Sequence, residues 1–164
     1  MNVTDGGEGR DHLRLASSRP FVVLDGSGYS DPVDEPLADG TPRPALTSIA
    51  VRVDGDRLEA TTTLALNGRI INGQCIGDAS DRTAIVASAT LGAVSGLLDC
   101  SAVVESALIV DVAGIDAAVT VLRLESNSGD GTDDLLVGSA LVRGDSEDAT
   151  ARSVLSALNR RLSR

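Results

Sequence analysis

Residues 58–81 read LEATTTLALNGRIINGQCIGDASD. Two apolar runs flank Asn67-Gly68, a dipeptide in which both residues tolerate positive φ and so close tight hairpins. Residues 58–66 form a strand, with Thr61-Thr62-Thr63 suited to a pleated surface, and residues 69–76 return antiparallel to it. Upstream, from about Thr47, Ile49, Val51 and Val53 alternate with polar neighbours, the period of a half-buried strand. Asp54-Gly55-Asp56 turns that strand into the next. Downstream, Gly77-Asp78-Ala79-Ser80-Asp81 opens a helix that Asp78, Ser80 or Asp81 caps. Ala84, Ala87, Leu91, Val94 and Leu98 fall on one face of that helix.

The same order is written a second time. Residues 102–112 make a strand rich in Val and Ile, Ala113-Gly114-Ile115-Asp116 turns it, and residues 117–124 follow. After a polar loop over 126–134, residues 135–142 make the third strand, and Gly144-Asp145-Ser146 opens the closing helix. Ala151, Val154, Leu155, Leu158 and Leu162 form its apolar stripe. Arg160, Arg161 and Arg164 lie near its C-terminus, where cations suit the helix dipole. Neither half buries its apolar faces alone. The expected fold is therefore α+β, two βββα units packed as a sheet-and-helix sandwich over residues 46–164.

Residues 1–45 differ in kind. They hold all five prolines and many Asp, Gly and Ser, and read as a disordered acidic tail. Its one apolar run, Phe21-Val22-Val23-Leu24, is either an extra edge strand or a docking peptide. Phe21 and Tyr29 are the only aromatic residues, so the folded part offers no ring on which a base can stack. The net charge is −10, and every basic side chain is Arg. Such a chain repels phosphate backbones and anionic lipid heads, so neither nucleic acid nor a membrane surface is an expected partner. No stretch is long and apolar enough to span a bilayer, and residues 1–30 lack the basic start and apolar centre of a signal peptide. The expected location is cytoplasmic, and Cys75 and Cys100 are expected as reduced packing thiols.

The available chemistry is narrow. His12 is the single histidine and lies in the tail. That removes nucleophile–histidine systems and histidine-based zinc sites from the folded part. No cofactor or metal is implied, and the chain is read as a non-enzyme. Most carboxylates fall in turns, where Asp bonds nearby backbone amides. Glu105 and Asp111 lie within one strand, six residues apart, and are expected on the same face. Asn127 to Asp134 lacks the ligand spacing of a calcium loop. Asp25-Gly26-Ser27-Gly28 precedes no helix and so makes no phosphate cradle. The two strand-to-helix junctions have the geometry of a binding site, because amides at a helix start hold anions. Simple capping is the competing explanation. The candidate ligand-binding residues are Gly77, Asp78, Ser80 and Asp81 at the first junction, and Gly144, Asp145 and Ser146 at the second.

The residues that carry a family resemblance are three groups. They are Leu66-Asn67-Gly68 through Gly73 and Gly77; Gly114-Ile115-Asp116-Ala117 followed by Val119-Thr120-Val121; and Val137-Gly138-Ser139 through Asp145, with the helix ending Ala157-Leu158-Asn159-Arg160. In order and spacing, residues 48–163 resemble the C-terminal regulatory domain of 2-isopropylmalate synthase and the related citramalate synthase. The resemblance implies a domain of two βββα units that dimerises and senses leucine or isoleucine. The catalytic barrel of those synthases is absent. The chain departs from the family where the effector is held: Gly77-Asp78-Ala79-Ser80-Asp81 stands for Gly-Pro-Val-Asp-Ala, and Asp145-Ser146-Glu147-Asp148 for Asp-x-Asp-Ile. The expected function is a non-catalytic regulatory or interaction module, a homodimer that binds an amino-acid-like ligand and acts in trans on a protein partner. The alternative is a ligand-free partner subunit that docks through its N-terminal segment.

Overall fold

The computed structural model describes residues 43–125 and 133–162. The expectations for the tail, including His12, Phe21-Val22-Val23-Leu24 and Asp25-Gly26-Ser27-Gly28, and for most of the 127–134 loop, lie outside these residues. The elements run β1 (Ala45–Asp54), β2 (Arg57–Leu66), β3 (Arg69–Asp78), a 3-10 turn (Ala79–Asp81), α1 (Arg82–Val94), a second 3-10 turn (Ser95–Leu97), β4 (Ala102–Val112), β5 (Ile115–Leu124), β6 (Asp134–Leu141) and α2 (Ser146–Leu162). The class is α+β, as the repeated pattern requires. The strands form two three-stranded antiparallel sheets, ordered β1-β2-β3 and β4-β5-β6.

The hairpins follow local chemistry. Asn67 and Gly68 both have positive φ, 52° and 73°, and join β2 to β3. In the second repeat, Ala113 and Gly114 take the equivalent positions at 56° and 83°. Ile115 and Asp116 therefore belong to β5 and not to the turn. The Gly114 amide donates to Asp111 Oδ1 at 3.2 Å and steadies this tighter hairpin.

Each sheet turns one face to a helix. On the central strands this face carries Leu58, Ala60, Thr62 and Leu64 in the first repeat and Ala118, Thr120, Leu122 and Leu124 in the second, all buried. The helices lie directly on the third strands. Gly73, paired with Thr62, sits so close to α1 that an added Cβ would be 2.0 Å from the Ala89 carbonyl oxygen. Gly138, paired with Thr120, stands likewise 2.0 Å from the Ser153 carbonyl oxygen. Beside each glycine a buried hydroxyl pair ties strand to helix: Thr62 to Thr90 at 3.1 Å, and Thr120 to Ser153 at 2.6 Å. The helix hydroxyls already donate to their own helix, Thr90 to the Val86 carbonyl and Ser153 to the Thr150 carbonyl. The strand threonines are therefore the donors in both pairs.

One apolar core joins the repeats. It runs from Leu64, Leu91 and Val94 to Leu122, Val154 and Leu158. Thr83 adds a cross-repeat bond from α1 to the Ala107 carbonyl on β4, 2.9 Å long. Two expectations need correction. α1 is not a one-stripe helix: Ile85, Val86, Ala89, Thr90 and Ala93 are buried along with Ala87, Leu91 and Val94, because sheet, β4 and α2 enclose it. Leu98 lies beyond its end. Glu105 and Asp111 do not share a face. Between Val104 and Ser106 the register shifts, and the extra residue of this β-bulge breaks the period of two.

Candidate functional site

The two strand-to-helix junctions, 65 residues apart in sequence, meet in space through an ion pair between Arg82 at the start of α1 and Glu147 in the first turn of α2. Each junction is closed by its own backbone. Asp78 Oδ1 accepts from the Ser80 amide at 2.9 Å, and Asp145 Oδ1 from the Glu147 amide at 2.9 Å. Ser80 Oγ lies 3.5 Å from Asp81 Oδ1, and Ser146 Oγ donates to Glu147 Oε2 at 2.8 Å. Gly77 leaves room for Ile85, whose Cδ1 would be 3.0 Å from an added Cβ. Gly144, at φ 135°, turns the chain into α2. The seven candidate residues are thus brought to one region, with the Asp78 and Asp145 carboxylates engaged in capping, while Asp81 makes no side-chain cap to α1.

The electrostatics of this region are set by Glu147. Hydrogen bonding from Asp145, then from Ser146 and Arg82, lowers its carboxyl to about 2. Asp145 is raised, chiefly through the same bond to Glu147. Ser80 lowers Asp78 through its backbone amide. The sign follows from linkage. As pH falls below about 4.5, the unfolded chain protonates both acids of the pair, while the folded chain keeps Glu147 ionised down to about 2. The stability from Glu147 is therefore present above its unfolded pKa and lost as pH falls through that window. Asp145, whose pKa is raised, contributes in the opposite sense, its share being lost as pH rises. Glu147→Gln should consequently flatten the loss of thermal stability between about pH 4.5 and 2. Melting curves of both proteins across this range check it, and parallel curves would disprove the role.

The open concavity lies elsewhere. A groove of about 460 Å³ runs between the start of β1 and the exposed side of α2, with β6 at its margin. It exists because the repeats are not packed equivalently. β4 of the second repeat covers α1, whereas β1 of the first touches α2 only slightly. Leu46, Leu155 and Leu162 give the groove an apolar wall, and Ser156 and Asn159 line it with polar groups. Among the described residues its charged lining residues are Arg43 and Arg152, and no carboxylate lines it. Arg152 is held along α2 by Asp148 at 2.6 Å, which raises its pKa. An apolar wall beside guanidinium groups suits a small molecule with an aliphatic side chain and a carboxylate.

The sequence reading missed this groove. It placed Leu155 and Leu162 in the apolar stripe of α2, but they sit at the stripe's edge and are only half-buried. Their offset from the line of Ala151, Val154 and Leu158 was the available signal. Cys75 and Cys100 are free and half-buried. Among the described residues no buried side-chain nitrogen or oxygen lacks a hydrogen-bond partner, and no cluster of His, Cys, Asp and Glu has metal-binding geometry. No helix among them is long and apolar enough to cross a membrane. No protein-family model matches the chain, and no curated protein is detectably similar to it.

Proposed function

We propose that this chain is a non-catalytic regulatory module that binds a small amino-acid-like ligand and works as a homodimer on a protein partner. The observation that carries the reading is the position of the β1–α2 groove. One wall belongs to the first repeat and the other to the second. A ligand seated there contacts both repeats and favours whichever packing fits it better, the requirement for any ligand-driven change. The resemblance to the regulatory domains of 2-isopropylmalate and citramalate synthases supports the same class. The seat proposed here is the groove, because at the helix starts Asp78 and Asp145 are already engaged in capping. In a chain of net charge −10, a groove whose charged residues are both Arg favours an anionic group.

The test is titration calorimetry of the full chain with leucine, isoleucine and valine at low and high salt. Saturable heat with one of them is expected, and Arg152→Gln should weaken that binding by about tenfold through loss of a charge-assisted bond. Absence of heat with all three under both conditions would sink the branched-chain reading. A second reading, a ligand-free partner subunit, is favoured by one observation: large apolar side chains are exposed on the second sheet.

A further inference from the structure

The two sheets share a topology but differ in the face turned away from the helices. On the first sheet, the rows of that face are Asp54–Arg57–Asp78, Arg52–Glu59–Ile76, Ala50–Thr61–Gln74, Ser48–Thr63–Asn72 and Ala45–Ala65–Ile70, the last the one wholly apolar row. Polar and charged groups dominate, and Gln74 donates to Glu59 across the strands. On the second sheet, the rows are Val112–Ile115, Val110–Ala117–Leu141, Leu108–Val119–Ser139, Ser106–Val121–Val137 and, at one end, Val103–Arg123–Leu135. Val137 is 65% exposed, Leu135 63%, Val112 59% and Leu108 57%. A contiguous apolar face of this kind marks an interaction surface, unlike scattered single exposures.

We infer that the outer face of β4-β5-β6 is where two copies of this chain pack sheet against sheet; this rests on the self-association proposed above and names its surface. Three observations favour a second copy as the occupant. The face is apolar across all three strands, so it is self-complementary under a two-fold axis. Its charges are confined to one end, where Arg123 is bonded to both Glu105 and Asp133 and leaves a single net negative charge. In a chain of net charge −10, this nearly uncharged patch is where two copies approach with little repulsion. The area is also adequate. Three strands about 4.8 Å apart and ten or so residues long, at roughly 3.3 Å per residue, present on the order of 500 Å². Counted on both copies, about 1,000 Å² reaches the lower bound of specific interfaces, which fits a reversible dimer. Packed faces of this kind lie about 10 Å apart with their side chains interdigitated.

Sedimentation velocity of the full chain tests this. The native chain should sediment as a dimer that dissociates on dilution, and more readily at low salt, where repulsion between acidic copies is less screened. Val137→Asp introduces a carboxylate on both sides of the axis and should weaken the dimer by about a hundredfold or more. Ile76→Asp, on the outer face of the first sheet, should leave it unchanged. To guard against misfolding in the variant, amide hydrogen exchange of the native chain on dilution should accelerate in β4–β6 and not in β1–β3. A dimer that survives Val137→Asp, or one that Ile76→Asp abolishes, overturns the surface and leaves self-association standing. A native chain monomeric at every concentration overturns both.

Discussion

Gly138→Ala is expected to unfold the domain, and Gly73→Ala to do nearly the same. A Cβ at residue 138 would stand 2.0 Å from the Ser153 carbonyl oxygen and 2.4 Å from the Ala157 nitrogen. At residue 73 the neighbours are the Ala89 oxygen and the Ala93 nitrogen, at 2.0 and 2.2 Å. These are backbone atoms of a helix, so no rotamer change relieves the clash and the helix must lift from the sheet. Lifting it also separates the hydroxyl pair beside each glycine, Thr62 from Thr90 or Thr120 from Ser153, and leaves buried hydroxyls without partners. The combined loss is about 4 kcal/mol or more, a large part of the roughly 5–15 kcal/mol that holds a small domain. Gly92→Ala is the internal control. Gly92 lies in α1, and its Cβ would meet only the Gly73 Cα at 3.9 Å, an ordinary contact. That substitution should raise stability by up to about 1 kcal/mol through helix propensity. Urea denaturation of the three variants should thus give opposite signs for one chemical change. A Gly138→Ala protein as stable as the native chain would show that α2 does not rest on β6 as described.

The second large effect is expected from Leu158→Ala. Leu158 is fully buried in α2, within the core that joins Leu64, Leu91 and Val94 of the first repeat to Leu122 and Val154 of the second. Removing its side chain should cost about 3 kcal/mol, the transfer term plus the cavity left behind. The form of the transition is as informative as its position. A shared core makes the repeats melt as one unit, so the calorimetric and van't Hoff enthalpies should agree in both the native chain and the variant. Two separate transitions, with only the second moved by Leu158→Ala, would show that the first repeat folds alone, against the contacts of Thr83 with β4 and of α1 with α2.

How much was legible in the sequence follows the range of the interaction behind each feature. The Asn67-Gly68 hairpin, a cap among Asp78, Ser80 and Asp81 that falls to Asp78, and the alternation of Ile49, Val51 and Val53 are set by dihedral preferences and by contacts a few residues away. These expectations agree with the structure to within a few residues. The near-continuous apolar run of β4, AVVESALIVDV, also carried the signal of an apolar outer face, which the structure shows exposed at Leu108 and Val112. The expectation for Glu105 and Asp111 failed because a single inserted residue reverses the alternation, and nothing local to Val104-Glu105-Ser106 announces the insertion.

The sequence by itself determined the order of elements, the two-fold repetition and the narrow range of chemistry, because turn residues, caps and periodicity act within one strand or helix. Only the tertiary structure decided that Gly73 and Gly138 lie under helix backbones, that Arg82 meets Glu147, and that β4 covers α1 while β1 leaves α2 open to form the groove. Each of these joins residues on separate elements. Their separation is fixed by how whole faces pack, and no window along the chain contains that information.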